Sequence, residues 1–221
     1  MLFINSLVPC YSYLDTSILT LRFGAFPSMN RASLLFSAAS AIIAFSTLSP
    51  VSAQTITKAS QVQSGTYAVE AGHTQIGFSV LHFGFTNYYG AFSNASGTLE
   101  LNAQSPASSR LSVTIPVASV QTTSSQLTDE LKGPQWFDAT KFPNATFVST
   151  SIKMLGQNDA TIHGNLTLHG VTKPITLNAH FVGAGINPMN KKYTTGFDAT
   201  STFNRSDFGI KTYVPYVSDS V

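Results

Sequence analysis

Cysteine is almost missing from this chain: 221 residues hold one, Cys10. A disulfide framework, a cysteine-based zinc site and a cysteine nucleophile are thereby excluded from everything downstream. Charge is scarce too. Only 10% of residues carry it, net charge is +2, and no basic run exceeds the pair Lys191-Lys192. Nucleic-acid binding needs a clustered basic face, so that class is rejected. No serine sits in Gly-x-Ser-x-Gly, so a hydrolase elbow is absent. Gly183-Ala-Gly185 lacks both the glycine spacing and the following helix of a phosphate loop. What is plentiful is aromatic: 16 Phe and 8 Tyr, among many Ser, Thr and Asn. That balance fits an exported all-β protein long enough to bury a core.

The N-terminal quarter reads as processing signal. Residues 1–28 look like an upstream extension without structure. From Met29, a charged start (Asn30, Arg31) leads into the apolar stretch Leu34 to Leu48, then Pro50 and the small-residue site Val51-Ser52-Ala53. This reads as a signal peptide over 29–53 with cleavage expected after Ala53, which marks the protein for export. The apolar run from Ala32 is broken by serines and a threonine and falls short of a full span, so no stable membrane anchor is expected. No cysteine follows it for a lipid. Residues 54–65 form a flexible segment and 66–221 the main domain.

Within that domain the organising stretch is His73 to Phe92. Ile76, Phe78, Val80 and His82 alternate with Gly77, Ser79, Leu81 and Phe83. A period of two marks a strand, and apolar groups on both faces predict cover on both sides. Gly84 and Gly90 interrupt it where a bend is needed. Further strands are predicted over 66–70, 88–102 with a break at 94–97, 111–117, 147–154, 161–169, 175–182 and 193–203. About eight short antiparallel strands with turn signals between them define a barrel or a sandwich. One segment differs: Ser124–Lys132 carries a serine cap, acidic residues, a late lysine and a Gly133-Pro134 stop, which predicts a short helix. Trp136, Phe137 and Phe142 follow, and this helical excursion is expected to lay aromatic rings over one mouth of the barrel.

Four separated blocks complete the picture. They are His73-Thr-Gln-Ile-Gly-Phe-Ser-Val-Leu-His82 running to Gly90-Ala-Phe92, Trp136-Phe137-Asp138 with Lys141-Phe142-Pro143, Leu166 to Leu177 (LTLHGVTKPITL), and Arg205-Ser-Asp-Phe-Gly-Ile210. In this order they resemble the YceI-like polyisoprenoid-binding family from about Thr66 onward. The resemblance implies an all-β, extended eight-stranded antiparallel lipocalin-like barrel, exported to the bacterial periplasm and holding a polyisoprenoid, such as an isoprenoid quinone tail, in an apolar channel. Each buried methylene contributes about 0.8 kcal/mol, so a long chain binds through its length. Two departures stand out. Leu127-Thr-Asp-Glu-Leu131 occupies the place of an Arg-Asp-x-His-Leu pattern, whose Arg and His cannot be carried over. The chain also stops at Val221, where the resemblance places the last strand, so a truncated strand and an open seam are expected.

Individual residues divide unevenly between site and scaffold. His73 and His82 are an odd number of residues apart and would face opposite ways on one strand. His163 and His169 share a face but are separated by about 20 Å of strand, too far for one metal ion, and are read as solvated. Arg205 with Asp207 reads as a turn held by a local charge pair beside Gly209. No metal site, cofactor or catalytic group is expected. The apolar channel is assigned to Phe78, Val80, Phe83, Phe85, Phe92, Trp136, Phe137, Phe142 and Phe147, any of which could equally be core. The expected function is a non-enzymatic lipid carrier. The alternatives are an enzyme acting on such a lipid, using His73, His82 or Asp207, and a structural β-domain with a filled interior. A homodimer is compatible with everything read from the chain.

Overall fold

The computed structural model describes Leu7–Pro9 and residues 55–221. The signal peptide read over 29–53 lies outside the described residues. In chain order the strands are β1 (Leu7–Pro9), β2 (Gly65–Val69), β3 (Ile76–His82), β4 (Thr86–Phe92), β5 (Ser96–Leu101) and β6 (Arg110–Pro116). They continue with β7 (Gln121–Thr122), β8 (Asn144–Met154), β9 (Asp159–Leu168), β10 (Val171–Ile186) and β11 (Tyr193–Thr200). One helix, α1 (Ser125–Leu131), interrupts them.

Eight strands close a barrel in the order β1-β11-β10-β9-β8-β6-β5-β2, and every pairing is antiparallel. The number matches the expected eight, but the membership does not. The hairpin β3-β4 belongs to a separate three-stranded sheet with β7. Its Ile76/Phe78/Val80/His82 face lines a cavity, whereas Leu81 and Phe83 on the other side are exposed. The cover expected on both faces is therefore present on one. The apolar alternation that suggested it comes from a hairpin laid across a barrel end, with its outer face left open.

The β2/β11 seam, expected to stand open, is bridged by β1, whose Leu7 pairs with both Val69 and Thr195, so the stretch 1–28, expected to be without structure, supplies the eighth barrel strand.

Inside the barrel, alternation does what the pleat requires. Leu111, Val113 and Ile115 on β6 are buried, as are Leu177, Ala179 and Phe181 on β10. β10 runs for 16 residues and carries a register shift between Phe181 and Gly183. Past that shift its edge is met by Ile56, paired with Ala184. α1 is capped as its sequence predicts: the Ser124 hydroxyl accepts the Leu127 N–H at 3.3 Å.

After β11 the chain turns through a short 3-10 helix, Arg205–Phe208, stopped by Gly209 at φ 82. That left-handed value is open to glycine at little cost. The last residues then return along β3, with Val217 bridged to His82 and Ser220 to Asn204. Arg205, 4% exposed, holds this return. Its Nε donates to the Ser218 carbonyl at 2.9 Å, and its two terminal nitrogens to Ile210 and Val217 at 3.1 and 2.9 Å. Burial holds its guanidinium below the ordinary value, with Asp219 opposing that shift. The expected Arg205–Asp207 pair is not formed. Asp207 is exposed, and the guanidinium binds backbone carbonyls instead. Asp219 accepts both the N–H and the hydroxyl of Ser206, at 2.8 and 2.6 Å, and these bonds pull its pKa down.

Candidate apolar ligand site

Two apolar cavities, each about 340 Å³, lie among the described residues. The first is roofed by the β3-β4 hairpin, α1 and the C-terminal return, over a floor of Ile115, Ala145, Leu166 and Leu168 from the barrel. Its walls are aromatic. The rings of Phe78, Phe92 and Phe137 pack mutually, at 5.6, 6.3 and 5.3 Å between centroids. Trp136 packs against Tyr213 at 6.0 Å and lies under the Arg205 guanidinium at 5.5 Å. Aromatic pairs of this kind contribute about 0.5–1.5 kcal/mol beyond the area they bury.

Polar groups in this lining are few and mostly tied. The Trp136 indole N–H donates to Glu130 at 3.0 Å. The Tyr88 hydroxyl bonds Thr123 at 3.2 Å, and that bond, followed by one to Thr122, holds the phenol below its ordinary pKa. Ser201 is the exception: its buried hydroxyl has no partner.

Of the residues assigned to a channel, Phe78, Val80, Phe92, Trp136 and Phe137 line the first cavity. The other four stand elsewhere. Phe83 and Phe85 sit on the β3-β4 turn, 51% and 86% exposed, because Phe83 takes a left-handed φ of 51 and turns the chain outward. Phe142 packs on His169 at 4.9 Å beside Gly170. Phe147 is core, between the cavities. His169 is corrected as well. It lies past β9 at φ 50, half-buried, with its Nδ1 bonded to the Phe208 carbonyl at 3.1 Å. His163 is exposed, as read, and bonds Thr176.

The groups weighed for acid–base chemistry do not converge. His82 lines the first cavity, His73 pairs with Glu70 on the surface, and Asp207 is exposed on the 3-10 helix. Among the described residues no cluster of three or more His, Cys, Asp or Glu could hold a metal ion.

The second cavity was not foreseen. Leu99, Leu101, Leu111, Ile152, Met154, Leu177, Phe181 and Phe197 surround it, with Ala160, Ala179 and Ala199 leaving the room. Its signal was present in the sequence as inward alternation on β10 and β11 with alanines at inward positions.

A lipocalin-like antiparallel barrel with an apolar, partly hollow interior is thus the class of protein the fold defines. The YceI-like domain profile matches residues 67–221, and the chain belongs to that family. It is 37% identical over 155 residues to a UPF0312 protein of Pseudomonas savastanoi pv. phaseolicola, covering 69% of this chain and 80% of the relative. A UPF0312 protein of Shewanella putrefaciens is 37% identical over 174 residues, covering 78% and 86%. Among solved structures, Burkholderia cenocepacia BcnA superposes with a TM-score of 0.57 at 25% identity, over 66% of this chain and 90% of that one. The Campylobacter jejuni YceI protein gives 0.56 at 28% identity, over 65% and 85%.

Proposed function

We propose that this protein binds a long-chain isoprenoid lipid, such as an isoprenoid quinone, by its tail and carries or stores it in the periplasm without transforming it. The observation that carries this reading is the pair of apolar cavities along one barrel. Their combined lining offers methyl, methylene and ring surface with few free polar groups. Such a surface favours a ligand recognised by apolar area, and each buried methylene adds about 0.8 kcal/mol before the entropy of ordering the chain is subtracted. A polar substrate would find little there to replace its water. The periplasmic setting rests on the signal peptide read over 29–53, and cleavage after Ala53 would also remove β1, leaving β2 and β11 as the edges of the exported barrel.

The test is mass spectrometry of an organic-solvent extract from protein purified out of a bacterial periplasm. A stoichiometric isoprenoid supports the carrier. A blank extract from folded protein, together with no uptake of added prenols, sinks it in favour of a structural β-domain.

A further inference from the structure

The linings of the two cavities have no residue in common. Val113 and Phe147 are register partners across β6 and β8, 1% and 4% exposed, and neither belongs to either lining. Their neighbours part on each side of them. Along β6, Ile115 faces the first cavity and Leu111 the second. Along β8, Ala145 faces the first and Ile152 the second; on β9, Leu166 faces the first and Ile162 the second. The Phe147 ring extends over Gly164 of β9, filling the space where a Cβ on that residue would have to stand. A single aromatic ring therefore reaches from β8 to β9 across the boundary between the chambers.

From this we infer that Phe147 is a septum that sets chain length, and that the second cavity is a separate subsite for the far end of a long linear isoprenoid. The inference rests on the binding function proposed above and deepens it. Each chamber, at about 340 Å³, is at the lower end of the roughly 300–1,000 Å³ that small-molecule sites occupy. A short prenol is accommodated by the first chamber alone. A long one reaches the second only when the Phe147 side chain leaves its place over Gly164. That movement is a penalty charged to long chains and not to short ones. The residue thus acts on selectivity, through a term that differs between two ligands of the same chemistry.

The experiment compares farnesol, a short prenol, with solanesol, a long one, by quenching of Trp136, the single tryptophan, which lines the first chamber. The measured quantity is the ratio of solanesol to farnesol affinity. In Phe147→Ala that ratio is expected to rise at least about tenfold, because chain segments already bound no longer have to displace the ring. Phe147→Leu keeps more of the core filled and gives a smaller rise in the same direction. Adding Ala179→Met, which fills part of the second chamber, is expected to cancel the rise. A ratio unchanged in both Phe147 variants, or a rise that Ala179→Met leaves intact, overturns the septum while the carrier function stands. Binding of neither prenol, by wild type or by any folded variant, overturns both.

Discussion

The ring of Phe78 occupies the space that a Cβ on Gly90, its direct partner across β3 and β4, would need. An aromatic seated on a cross-strand glycine is a recognised way of filling the hole that glycine leaves in a sheet. Here the seat also aims the ring, placing it in contact with Phe92 and Phe137 at the wall of the first cavity. Gly90→Ala must therefore push Phe78 inward. Overpacking of this kind costs about 1–3 kcal/mol. The expected result is a lower urea midpoint at unchanged slope, together with a smaller first cavity and weaker prenol uptake. An unchanged midpoint would mean that Phe78 has a second resting place.

Arg205 supports the same cavity from the C-terminal side. Replacing it with methionine keeps an apolar stem over Trp136 but leaves the carbonyls of Ile210, Val217 and Ser218 without their donor. Charge-assisted bonds contribute about 1.5–3 kcal/mol each in favourable cases, and orphaned acceptors add to the loss. A destabilisation of about 3 kcal/mol is expected for Arg205→Met, with faster amide exchange over 203–221 and less over the barrel strands. Arg205→Lys cannot reproduce the planar fork and should fall between. Uniform exchange across the chain in Arg205→Met would show that the return segment is held by other contacts.

Much of this architecture could be read in the chain, and what could not has specific causes. The period of two on β3, β6 and β10 and the capped helix at Ser125–Leu131 are local signals, and they carried into the structure. Membership of the barrel is not local. Nothing in Ile76–Phe92 says that the hairpin pairs with Gln121–Thr122 across a barrel end and not with its neighbours in the wall. Phe83 and Phe85 share the apolar character of Phe78 but stand on a turn, and composition does not distinguish a ring facing a cavity from one facing solvent. Phe147 is harder still. Its place between two chambers depends on register with Val113 and on the room left by Gly164, residues more than fifteen positions away on either side.

Ser201 is a buried hydroxyl without a partner in a predominantly apolar lining. Burying such a group without a hydrogen bond costs about 1–3 kcal/mol. Ser201→Ala is expected to be neutral or stabilising by about 1 kcal/mol, and to tighten prenol binding slightly by making the wall more apolar. A clear loss of thermal stability on this substitution would mean that the hydroxyl meets a partner in solution, such as a bound water.

Acid should loosen the return segment through Asp219. Its carboxylate accepts two bonds from Ser206, which hold its folded pKa below the ordinary aspartate value of about 3.9. The sign follows from linkage. A depressed folded pKa contributes stability that is fully present above the unfolded value and is lost as pH falls through the folded one. From neutral pH down to about 5, Ser206 amide exchange should therefore be constant once corrected for the intrinsic rate. Below the ordinary aspartate range its protection should drop, and Ser206 should lose it before the barrel strands do. Ser206→Ala removes the hydroxyl bond, the largest cause of the shift, so the loss should begin at a higher pH in that variant. If wild type and Ser206→Ala open at the same pH, the Asp219 carboxylate is not what ties the end of the chain to the 3-10 helix.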